Sequence, residues 1–236
     1  MTLQSPTYRA YPPPFKRTIR LHCEPGQVTG RVTDNVHDFR VMISHDGTRV
    51  TDVVGEAIRF PWTTCPIGAE RLKRLVGTPL TSRVRVKVDQ TEQCTHMLDV
   101  AKLALAHALR GGDRSYDVAI EAAPDPTACN ARIARDGEAL LGWQVVEGVV
   151  VSPPPFSGHV TTGRALWAPA VEADDDLREA AMILRRSLIV FYGRRRVTPN
   201  MFRANALTAL MGVCVSFQPD RVDEAVRPPN FVDLDL

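Results

Sequence analysis

The chain has 236 residues, 44% of them apolar, enough to bury a substantial core and too apolar for wholesale disorder. Twenty-nine basic against 27 acidic side chains leave a formal charge of +2, and the one basic run, Arg194-Arg195-Arg196, has no interleaved stacking aromatics, which argues against a nucleic-acid partner. No stretch reaches the roughly 18 to 20 continuous apolar residues of a membrane span. Five dispersed cysteines, Cys23, Cys65, Cys94, Cys129 and Cys214, read as reduced thiols, so a cytoplasmic protein is expected.

The opening TLQSPTYRAYPPPFKR holds three consecutive prolines and no periodicity, so residues 1–17 read as an extended arm whose Tyr8, Tyr11 and Phe15 could dock on a neighbour. TIRLHCE, QVTGRVTD and HDFRVMISHDGTRVTDVVGEAI then alternate as strands, with His45-Asp46-Gly47-Thr48 as a hairpin turn. CPIGAERLKRLVGTPL has apolar residues at 69, 72, 75 and 76, one face of a helix stopped by Gly77 and Pro79. SRVRVKVD alternates through Val84, Val86 and Val88 as a further strand. A helix opens at Cys94, its apolar stripe carried by Met97, Leu98, Ala101, Leu105, Ala108 and Leu109 and its end by Gly111-Gly112.

SYDVAIEAA and ACNARIARDGEALLGWQVVEGVVVSP give more strands, turning at Asp136-Gly137, followed by the Pro- and Gly-rich loop PPPFSGHVTTG. Asp174 to Asp176 cap the helix DLREAAMILRRSLIVFY, which Gly193 should end, and NMFRANALTALMG reads as a weaker helix. Strands and helices mix without a regular βα cycle. The expected fold is therefore α+β, a largely antiparallel sheet with three to four packed helices, organised as a single domain over 18–216 with a tail over 217–236.

Chemistry-bearing residues fall in three stretches: His37 with Asp38 at a strand start, Cys65 before a helix, and Cys94 with His96 at another helix start. Cys and His are the common zinc ligands. A helix N-terminus also favours the thiolate through its dipole and free N–H groups, so Cys65 and Cys94 stand where a low thiol pKa is expected. Asp99, one turn on from His96, could orient its ring, and His107 returns to nearly the same side of the helix. The competing reading makes the cysteines small core residues, His96 a capping side chain and His107 solvent-exposed. Trp62, Trp143, Trp167, Phe60, Phe156 and Phe191 are candidate pocket walls, His159 a residue of a possible lid, and Arg185 and Arg186 candidate anchors for a substrate carboxylate.

VHDFRVMISHDGTRVTDVVGEAIRFPWTTCPIGAERLKRLVGTPL with EQCTHMLDVAKLALAHAL resembles a bacterial domain-of-unknown-function family, number 2889, and ACNARIARDGEALLGWQVV, PPPFSGH and DLREAAMILRRSLIV extend that resemblance over most of 18–216. It implies no established reaction. The order His37, Cys65, Cys94, each beside a strand or helix start, also resembles distantly the layout of iron–sulfur cluster assembly scaffolds, with His37 where the scaffolds carry their first cysteine. That resemblance implies convergence of His37, Cys65, Cys94 and His96, and a mixed His/Cys set suits zinc better than a cluster.

These readings combine into one expectation: a small-molecule catabolic enzyme, a lyase losing formaldehyde or carbon dioxide or else a hydrolase, acting on an aromatic or other apolar substrate. Its catalytic candidates are His96, His37, Asp38 and Asp99, its substrate-binding candidates Trp62, Phe156, His159 and Arg185, and its metal candidates His37, Cys65, Cys94 and His96. Zinc is the candidate cofactor. No nucleotide cofactor is expected, since neither a P-loop nor a GxGxxG occurs. A homodimer is the expected assembly. The alternative is a non-catalytic metal- or ligand-binding protein on a scaffold-like fold.

Overall fold

The computed structural model describes residues 14–81, 86–162, 169–196 and 202–233, with the side chains of 170, 195 and 196 set aside. It is an α+β fold of antiparallel strands and helices. The chain divides into two compact units, one spanning Thr18–Ser115 and Pro199–Leu234, the other built on Tyr116–Thr198.

The first unit carries β1 (Phe15–Glu24) from Thr18 onward, β2 (Gln27–Asp34), β3 (Asp38–His45) and β4 (Val50–Arg59), in the order β4-β3-β2-β1. Alternation builds them. Val28, Gly30, Val32 and Asp34 of β2 and Phe39, Val41 and Ile43 of β3 are buried at every second position, as a half-buried antiparallel strand requires. The β3–β4 turn forms where expected: Asp46 Oδ1 accepts from Thr48 N and Arg49 N, both at 2.8 Å, and Gly47 takes φ +90°. Phe15, expected in an exposed arm, is fully buried at the start of β1; Tyr8 and Tyr11 lie outside the described residues.

Two helices cover the buried face. α1 (Ile67–Arg71) lasts five residues and tightens into a 3-10 turn over Leu72–Leu75, so the helix expected from Cys65 is present but short. α2 (Thr95–Arg110) opens with Cys94 as N-cap and ends at Gly111, φ +66°. Its buried stripe is centred one position round from the expected one: Val100, Ala104, Ala106 and His107 are inside, while Leu109 is 51% exposed. The close approach is written in the strand pairing. Gly30 faces Val41, and Val41 faces Gly55, so one row across β2, β3 and β4 has a glycine at each flank. A Cβ at Gly30 would stand 2.5 Å from Val100 Cγ1 of α2, and one at Gly55 2.8 Å from Ala69 Cα of α1. The absent side chains let both helices sit down on the sheet.

Of the strand expected over SRVRVKVD, residues 82–85 lie outside the described set and Val86 to Val88 form no strand. Of the helix expected over NMFRANALTALMG, residues 200–201 lie outside the described set and the rest forms 3-10 turns at Ala204–Ala206 and Thr208–Leu210, followed by another at Val215–Phe217. Asn205 and Thr208 favour local turns over continuous helix, and the segment makes its backbone bonds with the rest of the unit instead. Ala204 N donates to Ala225 O (2.8 Å), Thr63 N to Val226 O (2.9 Å) and Val215 N to Gln93 O (3.0 Å).

The second unit carries β5 (Arg114–Ala122) from Tyr116 onward, β6 (Ala128–Arg135), β7 (Glu138–Val146) and β8 (Val149–Ser152), paired in chain order, then α3 (Pro169–Ala173) and α4 (Asp175–Arg196). Asp174 caps α4 by accepting from Leu177 N at 3.0 Å. Gly193 does not end that helix, which continues to Arg196; a single glycine inside a helix costs only about 1 kcal/mol. The proline-rich loop folds back on β8 through Gly158 N to Val150 O (2.8 Å) and buries Phe156. No described helix is long and apolar enough to cross a membrane.

Candidate functional site

The inward register of β2 and β3 delivers two polar side chains to the end of the core. Asp34 follows Val28, Gly30 and Val32 on the buried face, and His37 precedes Phe39 by two. Asp34 is fully buried and His37 only 7% exposed. Asp34 Oδ1 accepts from Val36 N (2.8 Å), from His37 N (2.7 Å) and from His37 Nδ1 (3.0 Å), with Oδ2 at 3.2 Å from the same ring nitrogen. A carboxylate only accepts, so the proton of neutral His37 lies on Nδ1, and Nε2 is the basic nitrogen.

α2 brings the second imidazole. His96, in its first turn, stacks on His37 with ring centroids 3.9 Å apart and planes 27° apart, and Phe39 stands 5.9 Å from the His96 ring. His37 and His96 therefore do meet, as expected. Ring lone pairs lie in the ring planes, so near-parallel stacked rings direct them side by side and are poorly set to share one ion. Among the described residues no three His, Cys, Asp or Glu side chains are arranged to hold a metal ion.

The other catalytic candidates are engaged elsewhere. Asp38 is clamped by Arg31, Nε at 2.8 Å and Nη2 at 2.7 Å, a bidentate pair that turns the carboxylate away from His37. Asp99 lies 3.9 Å from Lys102 Nζ. His107, exposed in the competing reading of the sequence, is 1% exposed.

Cys65 and Cys94 are both buried, and the expectation of lowered thiol pKa values is reversed. Burial is the largest influence on each, pushing Cys65 from 9.0 up to about 12 and Cys94 higher still. Hydrogen bonding at the α2 N-terminus from Met97 and His96 does pull Cys94 downward, but more weakly. The physical reason is scale: a helix terminus is worth up to about 1 kcal/mol here, and burying a charge costs several. The nearby Cys65 also raises Cys94, and Cys214, which carries no local mark in the sequence, raises both. Ser216 Oγ donates to Cys65 Sγ at 3.6 Å, placing the 214–217 turn against this pair.

These shifts predict a chemical and a thermodynamic result. In native protein at mildly alkaline pH, Cys65 and Cys94 will resist a thiol–disulfide reagent that labels all five thiols in urea; rapid native labelling of either would contradict their burial. Because folding raises both values, the stabilisation is complete below pH 9.0, the ordinary thiol value, and is lost as pH rises towards about 12. The slope is up to about 1.4 kcal/mol per pH unit for each thiol. Denaturant melts of wild type and Cys65→Ala across alkaline pH measure it.

The residues expected to line a substrate pocket belong to different units. Trp62, in the first, is 5% exposed, meets Phe217 edge-on at 6.2 Å and is covered by the Arg227 guanidinium at 4.9 Å. Phe156, His159 and Arg185 lie in the second. Phe156 packs on Trp143 at 5.2 Å as core. His159 is held below its ordinary pKa first by burial and then by the charge of Arg185, so it is neutral near pH 7. Trp167 lies outside the described residues. The same unit holds a buried pair that the sequence did not suggest, the Tyr116 hydroxyl donating to the Glu179 carboxylate.

Asp34 is the main residue missed. The signal was present in the strand period, since continuing the buried positions 28, 30 and 32 leads to 34.

No curated protein matches the chain. A family model does match residues 20–109, a span that contains Asp34, His37, Cys65, Cys94 and His96 and excludes Phe156, His159, Arg185 and Cys214. The family whose model matches that stretch, from β1 into the last turn of α2, is described as "Protein of unknown function (DUF2889)".

Proposed function

We propose that this chain is a small-molecule catabolic enzyme, a lyase or hydrolase, whose proton-transfer residue is His37. The observation that carries the reading is the Asp34–His37 hydrogen bond with His96 stacked on the ring. A carboxylate on Nδ1 fixes the tautomer and stabilises the imidazolium formed when Nε2 takes a proton, the arrangement on which general-base histidines depend. The stacked His96 ring restricts rotation of His37 and supplies a second titratable group.

On a substrate carrying a hydroxymethyl group beside a conjugated ring, His37 would take the hydroxyl proton. The carbon–carbon bond would break, formaldehyde would leave, and the electron pair would remain on the ring-conjugated carbon until reprotonated. Loss of carbon dioxide from an aryl-substituted acid follows the same electron flow. Hydrolysis would use the same base on water. Five free cysteines fit a reducing, cytoplasmic setting; homodimerisation belongs to the same reading and is checked by light scattering.

Turnover on a panel of hydroxymethyl- and carboxy-substituted aromatic compounds, read as released formaldehyde or carbon dioxide, tests the reading. His37→Gln should lower kcat by about a hundredfold or more with the fold intact. Full turnover in that variant sinks the assignment. A second reading, a non-catalytic zinc- or ligand-binding protein drawing on His37, Cys65, Cys94 and His96, rests on the closeness of Cys65 to Cys94 and would need the two imidazoles to unstack around an ion. Stoichiometric zinc in protein purified without chelator, alongside unchanged turnover in His37→Gln, would favour it.

A further inference from the structure

The turn that carries Asp34 and His37 is held from outside by one side chain. Arg59, the last residue of β4, donates from Nη1 to Asn35 O at 2.7 Å and from Nη2 to Asp34 O at 2.7 Å and His37 O at 3.3 Å. A single guanidinium thus satisfies three of the four carbonyls of the 34–37 turn. Asp34 N closes the same turn on His37 O at 2.8 Å. Asn35 is fully buried and Val36 nearly so, so these carbonyls have little water to replace a lost donor.

We propose that Arg59 is the positioning residue of this site. It fixes the turn so that the Asp34 carboxylate stays on His37 Nδ1 and Nε2 remains the basic nitrogen. This role rests on the reading of His37 as the proton-transfer residue only for its effect on turnover; its effect on the imidazole stands on the geometry alone. The fork matters as well as the charge. Three carbonyls at fixed angles match a planar guanidinium, whereas the compact ammonium of lysine keeps the charge and loses the simultaneous fit.

The test reads the His37 tautomer by heteronuclear NMR on the isotopically labelled full chain, with His37→Gln assigning its signals among the six histidines. Wild type should show the proton on Nδ1. Arg59→Gln should shift the population towards Nε2–H, and Arg59→Lys should give an intermediate mixture, with kcat lowered about tenfold to a hundredfold at unchanged KM. An unchanged tautomer in Arg59→Lys, whatever happens to thermal stability, overturns the proposal and leaves Arg59 a structural brace. Should Arg59→Gln fail to fold, Arg59→Lys still decides the matter. A shifted tautomer with undiminished turnover upholds Arg59 as the positioning residue and removes His37 from catalysis.

Discussion

Replacing Asp34 with alanine should destabilise the first unit by about 3 to 5 kcal/mol, a cost set by the number of buried donors it strands. Val36 N, His37 N and His37 Nδ1 all end on this one carboxylate, within 3.0 Å or less of Oδ1. Each buried donor left unsatisfied costs about 1 to 3 kcal/mol, partly relieved by relaxation of the turn. Asp34→Asn separates structure from chemistry. Its amide oxygen can still accept from the two backbone N–H groups, so stability should fall by about 1 to 2 kcal/mol. Its NH2, turned towards the ring, would instead ask Nδ1 to accept, moving the His37 proton to Nε2. Denaturant midpoints of the two variants, with the His37 tautomer measured beside them, check both parts. Equal and small losses in stability would show that the carboxylate is not the hub of the turn.

Much of the first unit was legible because its rules are local. Alternation at 28, 30 and 32 and at 39, 41 and 43 gave the strands and their buried face, and Asp46-Gly47 gave the turn between β3 and β4. The α4 cap at Asp174 was legible for the same reason. What failed was long-range. Whether 202–212 becomes a helix depends on backbone bonds made there and just beyond to residues such as Gln93 and Ala225, which local periodicity does not register. The thiol pKa values failed because a helix-start position says nothing about burial, and burial outweighs the dipole. Cys214 stands 120 positions from Cys94 and had no local mark.

The site itself was half legible. His37 and His96 were chosen as isolated polar residues at element starts, and the packing of α2 on β2 and β3 brings their rings together. Asp38 adjoins His37 in the chain, and Asp34 carries no such mark. In a strand, adjacency is misleading, since neighbours point to opposite faces and the partner on the same face comes from the register. Asp38 accordingly turns to Arg31, and Asp34, reached across the turn, becomes the partner of the ring.

Gly68→Ala should be among the most disruptive single substitutions in the first unit, about 3 kcal/mol or more, although it adds one methyl group. The new Cβ would lie 2.3 Å from Cys94 Cβ, 3.2 Å from Cys94 N and 3.3 Å from Cys94 Cα. None of these atoms is the tip of a flexible side chain, so α1 and the start of α2 must move apart. Gly111→Ala is the matched comparison: its φ is +66° and its surroundings are open, so its cost is conformational alone, about 1 kcal/mol. Separation at Gly68 has a second consequence, because the first turn of α2 carries His96. Loosening that turn should spread the His37–His96 stack, and turnover dependent on His37 should fall with stability. Cys94→Gly removes the nearest clashing atom while leaving the backbone in place. The double variant should therefore be more stable than the sum of the single losses, with a coupling of about 1 to 2 kcal/mol by double-mutant cycle. Strict additivity would mean that the two helix starts do not bear on one another, and that His96 is held on His37 by the sheet face alone.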